Sequence, residues 1–98
     1  MRIEPDEQKA IINAVRLFDP GSEIYLFGSR IDDTKRGGDI DILLLSDTLT
    51  RSAIGEIEEA IFEQIEERKI DLVLASKKEP GSFASMLLAK PGKTVPLC

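Results

Sequence analysis

Residues Leu26–Leu45 read LFGSRIDDTKRGGDIDILLL, and the interpretation of this stretch decides the fold. An apolar strand ends at Gly28-Ser29. A charged loop carrying Arg30, Lys35 and Arg36 leads to Gly37-Gly38, and a second strand opens as Asp39-Ile40-Asp41 before running into Ile42-Leu43-Leu44-Leu45. Side chains alternate along a strand, so Asp39 and Asp41 share one face while Ile40 and Ile42 share the other. Aspartate is depleted in strands, and two of them heading so apolar a run ask for a reason beyond packing. At a separation of about 4 Å and an effective dielectric of about 20, their raw repulsion is about 4 kcal/mol. A divalent cation between them reverses that sign, and oxygen-only ligation suits Mg²⁺ or Mn²⁺.

Downstream, Lys69-Ile70-Asp71-Leu72-Val73-Leu74-Ala75 predicts another short buried strand with an acid near its start. Laid beside the Asp39–Leu45 strand, it lets Asp71 join the other two carboxylates in a cage able to hold two metal ions. At the end of the first strand, Gly28 permits close approach of backbone to a ligand. Successive N–H groups with the Ser29 hydroxyl form a small concavity suited to an anion.

Gly28-Ser29, Asp39-x-Asp41 and the later Asp71 together resemble the pattern of nucleotidyltransferases of the DNA polymerase β superfamily, and the GSR…GGDIDILL run is most similar to the minimal nucleotidyltransferase (MNT) group. The resemblance spans Ser22 to Ala75. Nine residues separate Ser29 from Asp39, one fewer than the common family spacing, and Asp33 stands where many members carry glycine. The resemblance implies a polymerase β-like core and transfer of a nucleoside monophosphate, AMP from ATP, to a hydroxyl. It further implies that Asp39, Asp41 and Asp71 are the catalytic and metal-holding residues, with Mg²⁺ or Mn²⁺ as cofactor. Gly28, Ser29 and Arg30 are the implied nucleotide-binding residues. Many MNT proteins are antitoxins encoded beside a HEPN-domain toxin, so the implied partner and acceptor is a HEPN protein, modified on a tyrosine. A reading from a different class is a non-catalytic module that neutralises or scaffolds such a partner.

Composition narrows the chemistry from the other side. The chain has no histidine, which removes Ser-His-Asp and Cys-His catalysis and histidine zinc sites. Neither a GxxxxGK[ST] phosphate loop nor a GxGxxG fingerprint is present. A net charge of −5 argues against direct nucleic-acid binding, which needs a basic face. No apolar run reaches membrane-spanning length, and the first residues lack a signal-peptide pattern. The lone Cys98 excludes an intramolecular disulfide and fits a reducing cytoplasm.

With 98 residues, the chain is expected to be one minimal domain, 1–98. The expected class is α/β: a small mixed sheet of about three strands with flanking helices, ordered α-β-β-α-β-α. Glu4–Phe18 predicts a helix, with Pro5 at its first position, Asp6 and Glu7 in its first turn, and an apolar stripe of Ile11, Ile12, Val15 and Phe18. Ser22–Phe27 predicts the first strand, and its short connection to the second allows an antiparallel pair. Ser46-Asp47-Thr48 offers caps for a helix over Thr50–Arg68, whose stripe is Ile54, Ile57, Ile61, Phe62 and Ile65. Ser82–Lys90 predicts a short helix making contact through Phe83, Met86, Leu87 and Leu88. Val95-Pro96-Leu97 is an apolar tail, suited either to completing the core or to meeting a partner.

Overall fold

In a computed structural model of the chain, which describes residues 3–28, 40–65, 70–90 and 92–97, the apolar run after Asp39 becomes an interior strand. The elements are α1 (Pro5–Phe18), β1 (Glu23–Phe27), β2 (Ile40–Leu45), α2 (Arg51–Phe62), β3 (Ile70–Ala75), α3 (Gly81–Ala89) and β4 (Thr94–Pro96). They form one mixed sheet in the order β3-β2-β1-β4. β1 runs antiparallel to β2 and β4, whereas β2 and β3 are parallel. The parallel pair needs a crossover, and α2 supplies it.

The mixed α/β sheet matches the expectation, but the sheet has four strands among the described residues rather than three. The tail completes the core: Val95 pairs opposite Leu26, the Leu97 N–H donates to the Ile24 carbonyl at 2.8 Å, and the Leu97 side chain is buried. Pro96, which has no N–H to give, is accommodated because β4 is an edge strand.

β2 explains the layering. Ile40, Ile42 and Leu44 pack on one face against Ala10, Ile11, Ala14 and Val15 of α1 and Ile57 and Ile61 of α2. Leu43 and Leu45 point the other way, under Ala84 and Leu87 of α3. Burial on both faces is why this strand reads as a continuous apolar run rather than an alternation.

Several expectations shift at the edges of this core. Pro5 does open α1, and the Glu4 N–H donates to Glu7 Oε1 at 2.9 Å. Phe18, however, stays largely outside at the helix end, and the alanines at 10 and 14 carry the stripe instead. α2 stops at Phe62, six residues short of Arg68, because an i→i−3 bond from Gln64 N–H to the Ile61 carbonyl tightens the chain into a turn that folds Ile65 onto the core; residues 66–69 lie outside the described set. β3 is half-buried rather than buried, since it ends the sheet. Of the four expected contact residues of α3 only Leu87 is buried; Phe83 is half-exposed but meets the Phe27 ring, and Met86 and Leu88 are exposed.

The expected helix caps do a different job. Thr50, at the N-cap of α2, makes no side-chain cap bond. Ser46 instead accepts from the N–H groups of Thr48 (3.1 Å) and Leu49 (3.0 Å) and donates to Asp19. Asp47 accepts from the Ser76 hydroxyl at 2.6 Å and the Lys77 N–H at 3.0 Å. These bonds clamp the C-terminal ends of β2 and β3 and leave the opposite ends for the acidic residues.

Candidate active site

Strand register brings the acidic residues together. Asp41 is the partner of Asp71 across the parallel pair, and of Phe27 across the antiparallel one; Phe27 in turn faces Thr94. Paired residues share a face, so Thr94, Phe27, Asp41 and Asp71 form one row across all four strands. Alternation from Leu43 and Leu45 puts that row on the α3 side. Neighbouring strands lie about 4.8 Å apart, close enough for two carboxylates in register to reach one cation. Asp71 is exposed at the sheet edge, whereas Asp41 is half-buried in the sheet interior.

Gly28 closes the row from above. Its φ is +78°, a conformation that side chains strain. A β-carbon there would lie 2.3 Å from Asp41 Oδ2 and 3.2 Å from its Cγ. The positive φ by itself favours glycine, and the close approach adds a second, specific reason: the chain turns directly over the Asp41 carboxylate. Sequence pattern suggests close backbone approach at Gly28, but to a phosphate; the intimate contact with Asp41 depends on the Phe27–Asp41 register and has no signature in the residues themselves.

Of the other expected site residues, Ser29, Arg30 and Asp39 lie outside the described residues. Among the described residues no group of three or more His, Cys, Asp or Glu side chains is placed to hold a metal ion, and the pair Asp41–Asp71 is what register provides. Its donors are oxygen only, which fits a hard divalent ion such as Mg²⁺ or Mn²⁺.

Asp19, Asp47 and Tyr25, toward the other end of the sheet, have shifted acidities. Hydrogen bonding from the Ser46 hydroxyl holds the Asp19 carboxyl below its ordinary value, helped by the Gly21 N–H and opposed by partial burial. The Ser76 hydroxyl does the same for Asp47. A hydrogen bond with Glu23, 2.6 Å long, pushes the Tyr25 phenol up. Asp19 and Asp47 hold turns rather than ligands, so here perturbed acidity marks structure.

One aromatic feature beside the row is not visible in the sequence. The rings of Phe27 and Phe83 meet edge to face, with centroids 5.7 Å apart and planes at 71°. Fifty-five residues of chain separate them, so no local spacing rule connects the two.

A mixed sheet with acids in register at the heads of two parallel strands, under a glycine turn, defines the scaffold of a nucleotide-transferring domain. The chain belongs to the polymerase β nucleotidyltransferase family: the family model described as "Polymerase beta, Nucleotidyltransferase" matches residues 9–93. Among the solved structures similar to it are two with a toxin and an antitoxin. One is a chain of a toxin–antitoxin complex with AMP-PNP, 28% identical, with a TM-score of 0.65 over 93% of this chain and 72% of that one. The other is a chain of the complex between a tri-AMPylated HEPN toxin of Shewanella oneidensis and its MNT antitoxin, 26% identical, with a TM-score of 0.61 over 94% and 69%. No curated protein matches the chain.

Proposed function

We propose that this chain is a metal-dependent nucleotidyltransferase that moves AMP from ATP to a hydroxyl of a HEPN-domain partner, as the antitoxin of a toxin–antitoxin pair in the cytoplasm. The observation that carries this reading is the register of Asp41 with Asp71 beneath Gly28. The similarity to chains of complexes with AMP-PNP and with a tri-AMPylated HEPN toxin supports the choice of nucleotide and partner.

Asp41 and Asp71, together with Asp39, would hold Mg²⁺ or Mn²⁺. Such an ion, when bound, would neutralise the charge that develops on the phosphates during transfer. The residues of the chain do the positioning. Gly28, lacking a side chain, lets the backbone turn over the Asp41 carboxylate without a Cβ in contact with it. Gly28, Ser29 and Arg30 anchor the β- and γ-phosphates. The acceptor oxygen attacks the α-phosphorus, the bond to the bridging oxygen breaks, and pyrophosphate leaves. Asp71 receives or orients the acceptor's proton, a role its exposure at the sheet edge suits, because a partner's hydroxyl can approach from solvent. Positioning and charge stabilisation supply most of what such a transfer needs.

Co-purification with the neighbouring gene's HEPN product, followed by incubation with Mg-ATP, is expected to add AMP to that product, read as intact mass. An unchanged mass after prolonged incubation with each nucleoside triphosphate would favour the non-catalytic binding module.

A further inference from the structure

Phe83 is 48% exposed on a helix whose neighbouring Ala84 is buried, and its ring has an aromatic neighbour. It is braced edge to face on Phe27, with 5.7 Å between centroids. Phe27 is the register partner of Asp41 and the residue before Gly28. The braced pair therefore flanks the carboxylate row on the β1 side, and the exposed Asp71 ends that row on the β3 side.

This asymmetry divides the site. A triphosphate seated at Gly28 and Asp41 has an acceptor-accessible side, at the open edge of β3, and an aromatic side, at Phe27 and Phe83. In-line attack sets the acceptor and the departing pyrophosphate on opposite sides of the α-phosphorus, along the row, so the sugar and base branch off sideways, on the sheet face that carries α3 and Phe83. An aromatic ring held in one orientation with part of its surface in water offers a stacking platform at little entropic cost, since bracing has already ordered it.

We propose that Phe83 stacks the nucleobase of the donor nucleotide and supplies much of the affinity that distinguishes a nucleoside triphosphate from bare triphosphate. The proposal rests on the function proposed above. A π face is common to all bases, so such a platform grips a base without reading its edges.

The test compares Mg-ATP with inorganic Mg-tripolyphosphate on the full chain by calorimetry. Truncation by Phe83→Ala is expected to weaken ATP binding roughly five- to a hundred-fold, the usual span for losing one base–aromatic stack, and to leave tripolyphosphate binding unchanged. Phe83→Leu keeps apolar volume over Phe27 but has no flat face, so it should behave like Phe83→Ala. Phe83→Trp should restore ATP affinity. Since the chain has no tryptophan of its own, that variant also reports directly: its emission should be quenched by Mg-ATP and not by Mg-tripolyphosphate. Wild-type affinity for ATP in Phe83→Leu overturns the proposal, as does loss of HEPN-partner binding in Phe83→Ala with ATP affinity intact, which would make this surface a protein contact. A wild-type chain that binds neither ATP nor tripolyphosphate overturns the stacking role and the transferase reading together; one that binds both equally overturns the stacking role alone.

Discussion

Gly28 is the residue on which the site depends most narrowly. Gly28→Ala adds a β-carbon 2.3 Å from Asp41 Oδ2 at a φ of +78°. Backbone strain of this kind costs about 1–3 kcal/mol, so the variant should be less stable and should lose its response to Mg-ATP. The steric part can be isolated: in an Asp41→Ala background Gly28→Ala should cost measurably less, because the clashing carboxylate is gone, and denaturant titration of the four proteins reads that coupling. Strictly additive costs would show that the contact is not the cause. Asp19 makes a pH prediction at the same scale. Its carboxyl lies below the ordinary value when folded, so the folded state binds fewer protons than the unfolded chain as pH falls from about 4. The stability it contributes is complete above the unfolded value of about 3.9 and disappears as pH drops through the folded one. Asp19→Asn should therefore lower stability at neutral pH and flatten the acid limb of a melting-temperature profile. The acidic residues and Gly28 are singled out in the sequence by their places at strand ends and by the family resemblance, not by residue type alone. What each touches cannot be read that way, because contacts such as Gly28 with Asp41 or Phe83 with Phe27 arise only once register is set.

At the level of elements, β2, β1 and β3 were legible because their apolar runs are bounded by turn residues, and their predicted ends fall within a residue of those observed. β4 was not, since three residues containing a proline carry no periodicity; its pairing is imposed by the burial of Leu97 beneath the sheet. Leu97→Ala removes a buried leucine and should destabilise by about 2–5 kcal/mol. If the variant unfolds at the same denaturant concentration as wild type, the tail does not close the core. The outward side of α3 escaped prediction for a related reason: two aromatic or sulfur-containing residues at helical spacing look like a core stripe until Ala84 and Leu87 are seen to be the buried pair. Across β2 and β3 the pairing of Asp41 with Asp71 places like charges opposite each other, an arrangement that costs up to about 1 kcal/mol. Asp71→Asn should leave the ligand-free protein as stable or slightly more so, and should abolish the thermal stabilisation by Mg-ATP. Ligand that binds only the native state stabilises it by about 2.7 kcal/mol at a hundred times its Kd, a shift easily seen in a melt. A variant that melts lower and still responds fully to Mg-ATP would make Asp71 a structural residue.

In the molecule as a whole, the two carboxylates hang from strands of unequal permanence. Among the described residues β2 is hydrogen-bonded along both sides and buried on both faces, whereas β3 is held along one side. Amides of a doubly paired interior strand exchange with solvent mainly through global unfolding, while an edge strand can open by itself at lower free energy. Asp41 thus has a fixed seat, and Asp71 can leave the site in a local opening that spares the rest of the fold. Anything that bridges both carboxylates must pin the edge to the interior. Deuterium uptake followed by mass spectrometry should show protection gained on adding Mg-ATP across residues 70–75, with residues 40–45 already slow and little changed. Equal gains on both strands would mean that they open as one unit, and that the edge does not breathe independently.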